Sequence, residues 1–181
     1  VRTAERMFGD ATKTVALSIR PEFRVGNAVA LDLPDNSFDS VYSIGVMHHT
    51  PSVQSCVDEA YRVLEPGGVA YLALYRKYSL KVSIAKALRA VQSGFDWVSG
   101  SDRSIYYNWF RRKGPSSSSG TMFLECFGVP FMEWYSRPEL MKLFRRFEII
   151  SIDPVGPNFL YARSLSRDVN TWGYMWLIRA R

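Results

Sequence analysis

The sequence of 181 residues contains little cysteine and histidine and has no long apolar run. Two cysteines, Cys56 and Cys126, are too few for a disulfide framework, so a reducing, cytoplasmic location is expected. His48 and His49 are the only histidines, and because adjacent side chains point in different directions no metal site is expected. No apolar stretch reaches the roughly 18 residues that cross a bilayer.

The composition is that of a folded globular domain. Hydrophobic residues make up 47% and charged residues 22% of the chain, and its length suits a single domain with a sizeable core. The formal net charge is +6, but residues 76–113 carry nine basic and two acidic side chains, whereas residues 1–75 carry six and nine. The basic character therefore belongs to one middle segment.

Residues 38–75 have the pattern of a strand, a helix and a second strand. Residues 38–46 are mostly β-branched and aromatic, which is typical of a buried strand, and Phe38 is expected in the core. A helix is predicted over residues 52–64 because its apolar side chains recur at i, i+3, i+4 and i+7. Residues 69–75 form a second apolar run. We predict two parallel strands joined by a right-handed crossover.

Three motifs in and around this unit carry a resemblance. They are found at residues 33–39 (Leu-Pro-Asp-Asn-Ser-Phe-Asp), 46–49 (Val-Met-His-His) and 61–68 (Tyr-Arg-Val-Leu-Glu-Pro-Gly-Gly). In this order and spacing they resemble the central block of class I S-adenosylmethionine-dependent methyltransferases, closest to the small-molecule branch with quinone and sterol methylating enzymes. The resemblance is strong over residues 22–76 and looser from residue 134 onward.

The resemblance implies an α/β fold, a Rossmann-like doubly wound and mostly parallel sheet with an antiparallel C-terminal strand and a helical insertion. The family begins with a Gly-rich cofactor turn, but only Gly9 precedes Gly26 here, and the chain starts at Val1 within a helix-compatible stretch. We therefore expect an N-terminally truncated chain that lacks the first βαβ elements, with residues 1–181 as one partial methyltransferase-like domain. If the chain is complete, the alternative is a non-catalytic binding module of the same fold.

The resemblance also implies S-adenosylmethionine as the cofactor and a small-molecule methyl acceptor as the partner. Its predicted cofactor-binding residues are Asn27, Ala28, Ser43, Ile44, Gly45 and His48. Asn27 stands where the family usually has an acid, and its side-chain oxygen can still accept a hydrogen bond from the adenine amino group. The lost charge assistance is worth about 1 kcal/mol. The alternative is that Asn27 only supplies a turn conformation.

The acceptor side is predicted to involve His49, Tyr75 and Arg76. A histidine near neutrality can act as a general base. The alternative, which we favour for the His48–His49 pair, is that one ring hydrogen-bonds the loop backbone and helps to cap the next helix.

Residues 76–133 are predicted to form a helical insertion that acts as a substrate lid. A basic helix of about 15 residues should pack through an apolar stripe formed by Leu80, Ile84, Ala87, Leu88 and Val91. An aromatic and basic stretch at residues 106–113 and a Ser-rich loop at 114–120 follow. Peripheral contact of residues 76–113 with an anionic membrane is an alternative, and nucleic acid is not expected. The oligomeric state stays open.

The C-terminal part is predicted as a helix and two strands. A capping box at Ser136 and Glu139 should open a helix to about residue 145, with Leu140, Leu143 and Phe144 facing inward. Strands are expected over residues 147–152 and 171–180, and a short strand over residues 22–25.

Overall fold

The computed structural model describes residues 22–100, 131–155 and 173–181. The helix-compatible N-terminus, the aromatic and basic stretch at 106–113 and the loop at 114–120 lie outside these residues. In chain order the elements are β1 (Phe38–Ile44), a 3-10 turn (Met47–His49), α1 (Val53–Val63), β2 (Leu64–Arg76), α2 (Leu80–Ser99), β3 (Trp134–Tyr135), α3 (Arg137–Leu143), β4 (Ile149–Val155) and β5 (Met175–Ala180).

The strands form one mixed sheet in the order β1-β2-β5-β4, with β3 paired to the end of β2. β1 and β3 are parallel to β2, which confirms the predicted βαβ unit. β5 is antiparallel to both β2 and β4, so β4 runs in the same direction as β2. β5 is therefore the one strand of this described sheet that runs against the others. The prediction of a mostly parallel sheet with an antiparallel C-terminal strand is confirmed.

One face of the sheet carries the larger core, which α1 and α3 cover. α1 begins after Ser52, whose Oγ accepts a hydrogen bond from the Ser55 amide at 3.2 Å. Its apolar stripe is almost completely buried and packs against the β2 and β5 side chains of this face. α3 opens with the predicted capping box, and Leu140, Leu143 and Phe144 face inward as predicted.

The opposite face carries a smaller cluster, against which α2 packs. This cluster contains Ala73, Tyr75, Val82 and Met175. The predicted stripe of α2 is only partly correct among its described side chains: Ile84 and Leu88 are half-buried, but Ala87 is exposed and Val91 is 72% exposed. Val82 and Ala85 are buried instead. The same packed side of α2 carries Lys86 and Arg89, whose aliphatic stems can cover apolar surface.

Several predicted boundaries also differ. Residues 22–25 form no strand. β1 is not the buried strand that was expected: none of its residues is buried, and Phe38, Tyr42 and Ile44 are 39%, 68% and 59% exposed, because within the described sheet β1 pairs with β2 alone. β2 begins at Leu64, directly after α1 ends at Val63, so the Pro-Gly-Gly part of the third motif lies within the strand and not at the helix end. None of the helices in the described ranges is long and apolar enough to span a membrane.

Candidate functional site

The carboxyl end of β1 forms the first part of the site. β1 ends at Ile44, and Gly45 adopts a left-handed backbone with φ +74° that a residue with a Cβ rarely tolerates. The Gly45 amide still donates to the Ala73 carbonyl at 3.3 Å, which keeps the turn against β2. Ile44 is 59% exposed and Ser43 is half-buried. This edge is where open α/β sheets bind ligands.

The 3-10 turn after β1 brings three predicted residues together. His48 is completely buried, and its ring centroid lies 3.9 Å from that of Tyr75. The His49 ring is 4.3 Å from His48 and 5.7 Å from Tyr75. Tyr75 belongs to the end of β2, so the cluster bridges the carboxyl ends of the two parallel strands. The three rings therefore line this edge of the sheet with packed aromatic groups.

His49 has a defined hydrogen bond that fixes the form of its neutral ring. Its Nδ1 lies 3.0 Å from the Phe131 carbonyl oxygen, and since a carbonyl only accepts, Nδ1 carries the proton. Nε2 of the neutral ring is then an acceptor. The Glu133 amide donates to the His48 carbonyl at 3.0 Å. The 3-10 turn is therefore hydrogen-bonded to residues 131–133 at two points. His49 thus bonds the loop backbone as predicted, but Ser52 caps α1.

Arg76 is not part of this cluster. Successive strand residues alternate between faces, and Arg76 follows Tyr75 on the other face of β2. Its Nη1 donates to the Gly173 carbonyl at 3.3 Å, and its guanidinium carbon lies 5.1 Å from the Trp176 ring centroid. The geometry therefore separates Arg76 from His49 and Tyr75.

Asn27 opens a loop, residues 27–37, which we call the 27–37 loop. Its Oδ1 accepts a hydrogen bond from the Val29 amide at 3.2 Å, and its carbonyl accepts one from Ala30 at 3.0 Å. Asn27 therefore supplies the turn, as the simpler alternative expected. A carbonyl oxygen has two lone pairs, so Oδ1 keeps capacity for a second donor. Asn27 is exposed and Ala28 half-buried.

A polar network that our sequence reasoning missed holds this loop to α1. The Arg62 guanidinium donates to Glu59 from Nε and Nη2, each at 2.8 Å. Glu59 Oε2 also accepts the Leu31 amide at 2.7 Å. Arg62 lies within the third motif, residues 61–68. Helical spacing predicts its i, i+3 pairing with Glu59, but it cannot predict the contacts of Arg62 with the loop.

The network lowers the pKa of the Glu59 carboxyl to about 2, chiefly through the hydrogen bonds from Arg62 and further through that from the Leu31 amide. A carboxyl with a lowered pKa stabilises the fold above its unfolded pKa, near 4.5, and loses that contribution as the pH falls toward 2. Its side chain is only 18% exposed, so solvent screening is limited.

We expect Glu59→Gln to flatten the acid dependence of stability. The wild-type free energy of unfolding should fall by up to about 3 kcal/mol more than that of the variant between pH 4.5 and 2. Urea unfolding at stepped pH measures this difference. Glu148→Gln is the matched control, because Glu148 pairs with Arg181 at an exposed position. Parallel pH curves for wild type and Glu59→Gln would contradict the prediction.

Sequence comparisons point to one family. The family model for the methyltransferase domain matches residues 2–72. The chain is 27% identical to a sterol 24-C-methyltransferase of Aspergillus fumigatus, covering 77% of this chain and 44% of that protein. It is 47% identical to a ubiquinone/menaquinone biosynthesis C-methyltransferase of Methylobacterium nodulans, covering 27% and 19%. The chain thus spans less than half the length of these curated relatives.

Solved structures share the fold. A SAM-dependent methyltransferase of Methanosarcina mazei has a TM-score of 0.52 and 20% identity, covering 97% of this chain and 75% of that one. A SAM-dependent methyltransferase of Thermotoga maritima has a TM-score of 0.51 and 21% identity, covering 97% and 69%. At these identities the likeness concerns the fold alone. The methyltransferase-domain match over residues 2–72 and the two curated relatives agree with the resemblance to class I S-adenosylmethionine-dependent methyltransferases that the three motifs carry.

Proposed function

We propose that the protein containing this chain transfers a methyl group from S-adenosylmethionine to a small-molecule acceptor. The observation that carries the proposal is the meeting of the Gly45 turn, the His48–His49 turn and Tyr75 at the carboxyl edge of β1 and β2. The curated relatives are sterol and quinone C-methyltransferases, which favours a largely apolar acceptor that is methylated at carbon.

The described residues fit the adenine and methionine ends of the cofactor. Asn27 Oδ1 offers an acceptor for the adenine amino group on an exposed turn, next to Ala28. The left-handed Gly45 and the adjoining Ser43 and Ile44 allow a close backbone approach beside the buried ring of His48. S-adenosylmethionine, when bound, supplies an electrophilic methyl group on a charged sulfur. The chain then acts mainly by positioning the two partners.

On the acceptor side, we assign His49 as the group that takes a proton. Its Nδ1–H bond to Phe131 leaves Nε2 as the basic atom of the neutral ring. Tyr75, 2% exposed, packs against both histidine rings and holds them at the carboxyl edge of the strands. The contacts of Arg76 with Gly173 and Trp176 favour a role in anchoring the start of β5 over contact with the acceptor.

The contacts of Lys77 and of α2 support a lid over the acceptor more than a membrane surface. Lys77 pairs with Glu139 at 2.5 Å, and Lys86 Nζ lies 4.3 Å from the Trp134 ring centroid. Arg89 contacts the Met132 sulfur at 3.9 Å. These three cations already contact groups within the protein, so they are less available to bind an anionic lipid headgroup. We therefore place the non-catalytic membrane-associated module second.

Calorimetric titration with S-adenosylhomocysteine tests the proposal. We expect saturable binding with one site per chain, in the complete protein that contains residues 1–181. Transfer of a labelled methyl group to a panel of quinols and sterols then examines the acceptor class. Absence of binding would overturn the methyl-transfer proposal. Binding without transfer to any acceptor, together with salt-sensitive attachment to anionic vesicles, would favour the second function.

Restoring the acid at position 27 should tighten cofactor binding. We expect Asn27→Asp to lower the Kd for S-adenosylhomocysteine about fivefold, because a charged acceptor adds about 1 kcal/mol to the hydrogen bond from adenine. The carboxylate can still accept the Val29 amide and keep the turn. Asn36→Asp, at another exposed position of the 27–37 loop, is the matched control. An equal gain in both variants would point to general electrostatics instead.

A further inference from the structure

We propose that Arg62 is a positioning residue for cofactor binding, which sets the 27–37 loop against α1 so that Asn27 meets the adenine. The inference rests on the proposed function, since it needs a bound adenine. Arg62 would act through the loop and not by touching the cofactor. Arg62 is linked to the loop and to Glu59 through the N–H donors of its guanidinium group.

All five N–H donors of the Arg62 guanidinium have partners. Besides the two hydrogen bonds to Glu59, Nη1 donates to the Leu33 carbonyl at 2.8 Å and to Asp35 Oδ1 at 2.5 Å. Nη2 donates to the Leu31 carbonyl at 3.0 Å. The Arg62 guanidinium therefore binds Leu31, Leu33 and Asp35 of the loop at once. A guanidinium has five donors, so the set is complete.

The backbone of α1 holds the far end of the same loop. The Asn36 amide donates to the Arg62 carbonyl at 3.0 Å, and the Ser37 amide donates to the Val63 carbonyl at 2.8 Å. With the Leu31 amide on Glu59, the loop is fixed from residue 31 to residue 37. The turn of residues 27–30 is closed by its own hydrogen bonds and continues into this fixed segment. Its position on the protein therefore depends on the network.

The charges and burial favour a rigid network. Arg62 is 27% exposed and Glu59 18% exposed, so both charges are largely removed from water and stabilise each other. Hydrogen bonds from Arg62 hold the pKa of Glu59 well below its usual range, and those to Glu59 and Asp35 raise the pKa of Arg62. Both groups therefore keep their charges at neutral pH, and the loop keeps one position.

A lysine cannot replace this geometry. Its ammonium group has three donors at one point, whereas the network needs five donors spread over a plane. Arg62→Lys keeps the positive charge and the helical propensity and removes at least two of the five hydrogen bonds. The matched control is Arg181→Lys, since Arg181 forms a 2.8 Å pair with Glu148 at an exposed site where β5 ends and β4 begins.

The experiment measures loop protection and cofactor affinity in the same proteins. Hydrogen exchange followed by mass spectrometry reports the amides of residues 31–37 without any ligand. Calorimetry with S-adenosylhomocysteine reports affinity for wild type, Arg62→Lys, Asn27→Ala and the double variant. We expect faster exchange of the 27–37 loop in Arg62→Lys, unchanged exchange in β2, and about tenfold weaker binding. Arg181→Lys should bind like the wild type.

The double variant separates positioning from a general loss of stability. If Arg62 acts through Asn27, Arg62→Lys should weaken binding less than threefold in the Asn27→Ala background, because coupled sites are not additive. An undiminished tenfold loss there, or wild-type affinity in Arg62→Lys, would overturn the inference. If the wild type binds no S-adenosylhomocysteine, the proposed function and this role both fail. In that case, unchanged exchange in Arg62→Lys would show that the network does not order the loop either.

Discussion

Replacing His49 with asparagine is expected to lower kcat by about 100-fold and to leave the Kd for S-adenosylhomocysteine unchanged. The asparagine amide nitrogen lies near the position of the imidazole Nδ1, so it can still donate to the Phe131 carbonyl. The variant lacks an equivalent of Nε2, and loss of a general base typically costs two to four orders of magnitude in rate. Steady-state methyl transfer and calorimetry on the same preparation measure the two quantities.

The glutamine variant and the pH profile complete this test. His49→Gln places an amide near Nε2 and removes the donor to Phe131, so it disturbs the loop that His49→Asn preserves. If His49 is a base, both variants lose kcat, and the rise in rate that follows imidazole deprotonation disappears from the pH profile. If His49 only holds the loop, the asparagine variant keeps its activity and only glutamine loses it. That second pattern would refute the catalytic role.

Replacing Gly173 with alanine should strongly destabilise the fold. A Cβ at Gly173 would lie 2.5 Å from both the backbone nitrogen and the carbonyl oxygen of Val155. Both atoms belong to the last residue of β4, so no side chain can move aside and the two strands must separate. We expect the free energy of unfolding to fall by about 2–3 kcal/mol. Urea unfolding followed by fluorescence measures it.

Gly94→Ala is the matched control for this substitution. Gly94 lies in α2 and is exposed, and a Cβ there meets nothing within 4 Å. Alanine is the better helix former, so this change should raise stability by about 0.5–1 kcal/mol. Opposite signs for the two glycines would support the close strand contact. A small effect at Gly173 would mean that β4 and β5 adjust more easily than the geometry indicates.

The βαβ unit could be predicted because its signals are local. A strand rich in β-branched and aromatic residues, an amphipathic helix and a second apolar run lie within one continuous stretch. The same locality explains the success at Ser136 and Glu139, since a capping box needs only four successive positions. These features depend mainly on neighbours in sequence, so a local pattern is enough to predict that they form.

α2 shows where such reasoning fails. Its sequence has an apolar stripe through Ala87 and Val91, yet these residues face away from the sheet. The packed side instead carries Lys86, which lies over Trp134, and Arg89, which contacts Met132. Those partners lie more than forty residues away along the chain. A periodicity search assigns the charged positions to solvent and cannot detect a long-range cation–π contact.

The sequence by itself determined the resemblance to class I methyltransferases, the parallel βαβ unit and the residue types available for chemistry. It also brought His48, His49 and Tyr75 to one edge, because parallel strands end on the same side of a sheet. Only the tertiary structure decided that Arg76 donates to the Gly173 carbonyl and that Arg62 fixes the 27–37 loop. Both depend on hydrogen bonds to carbonyls distant in sequence, and such partners are set by how the elements pack and not by local pattern.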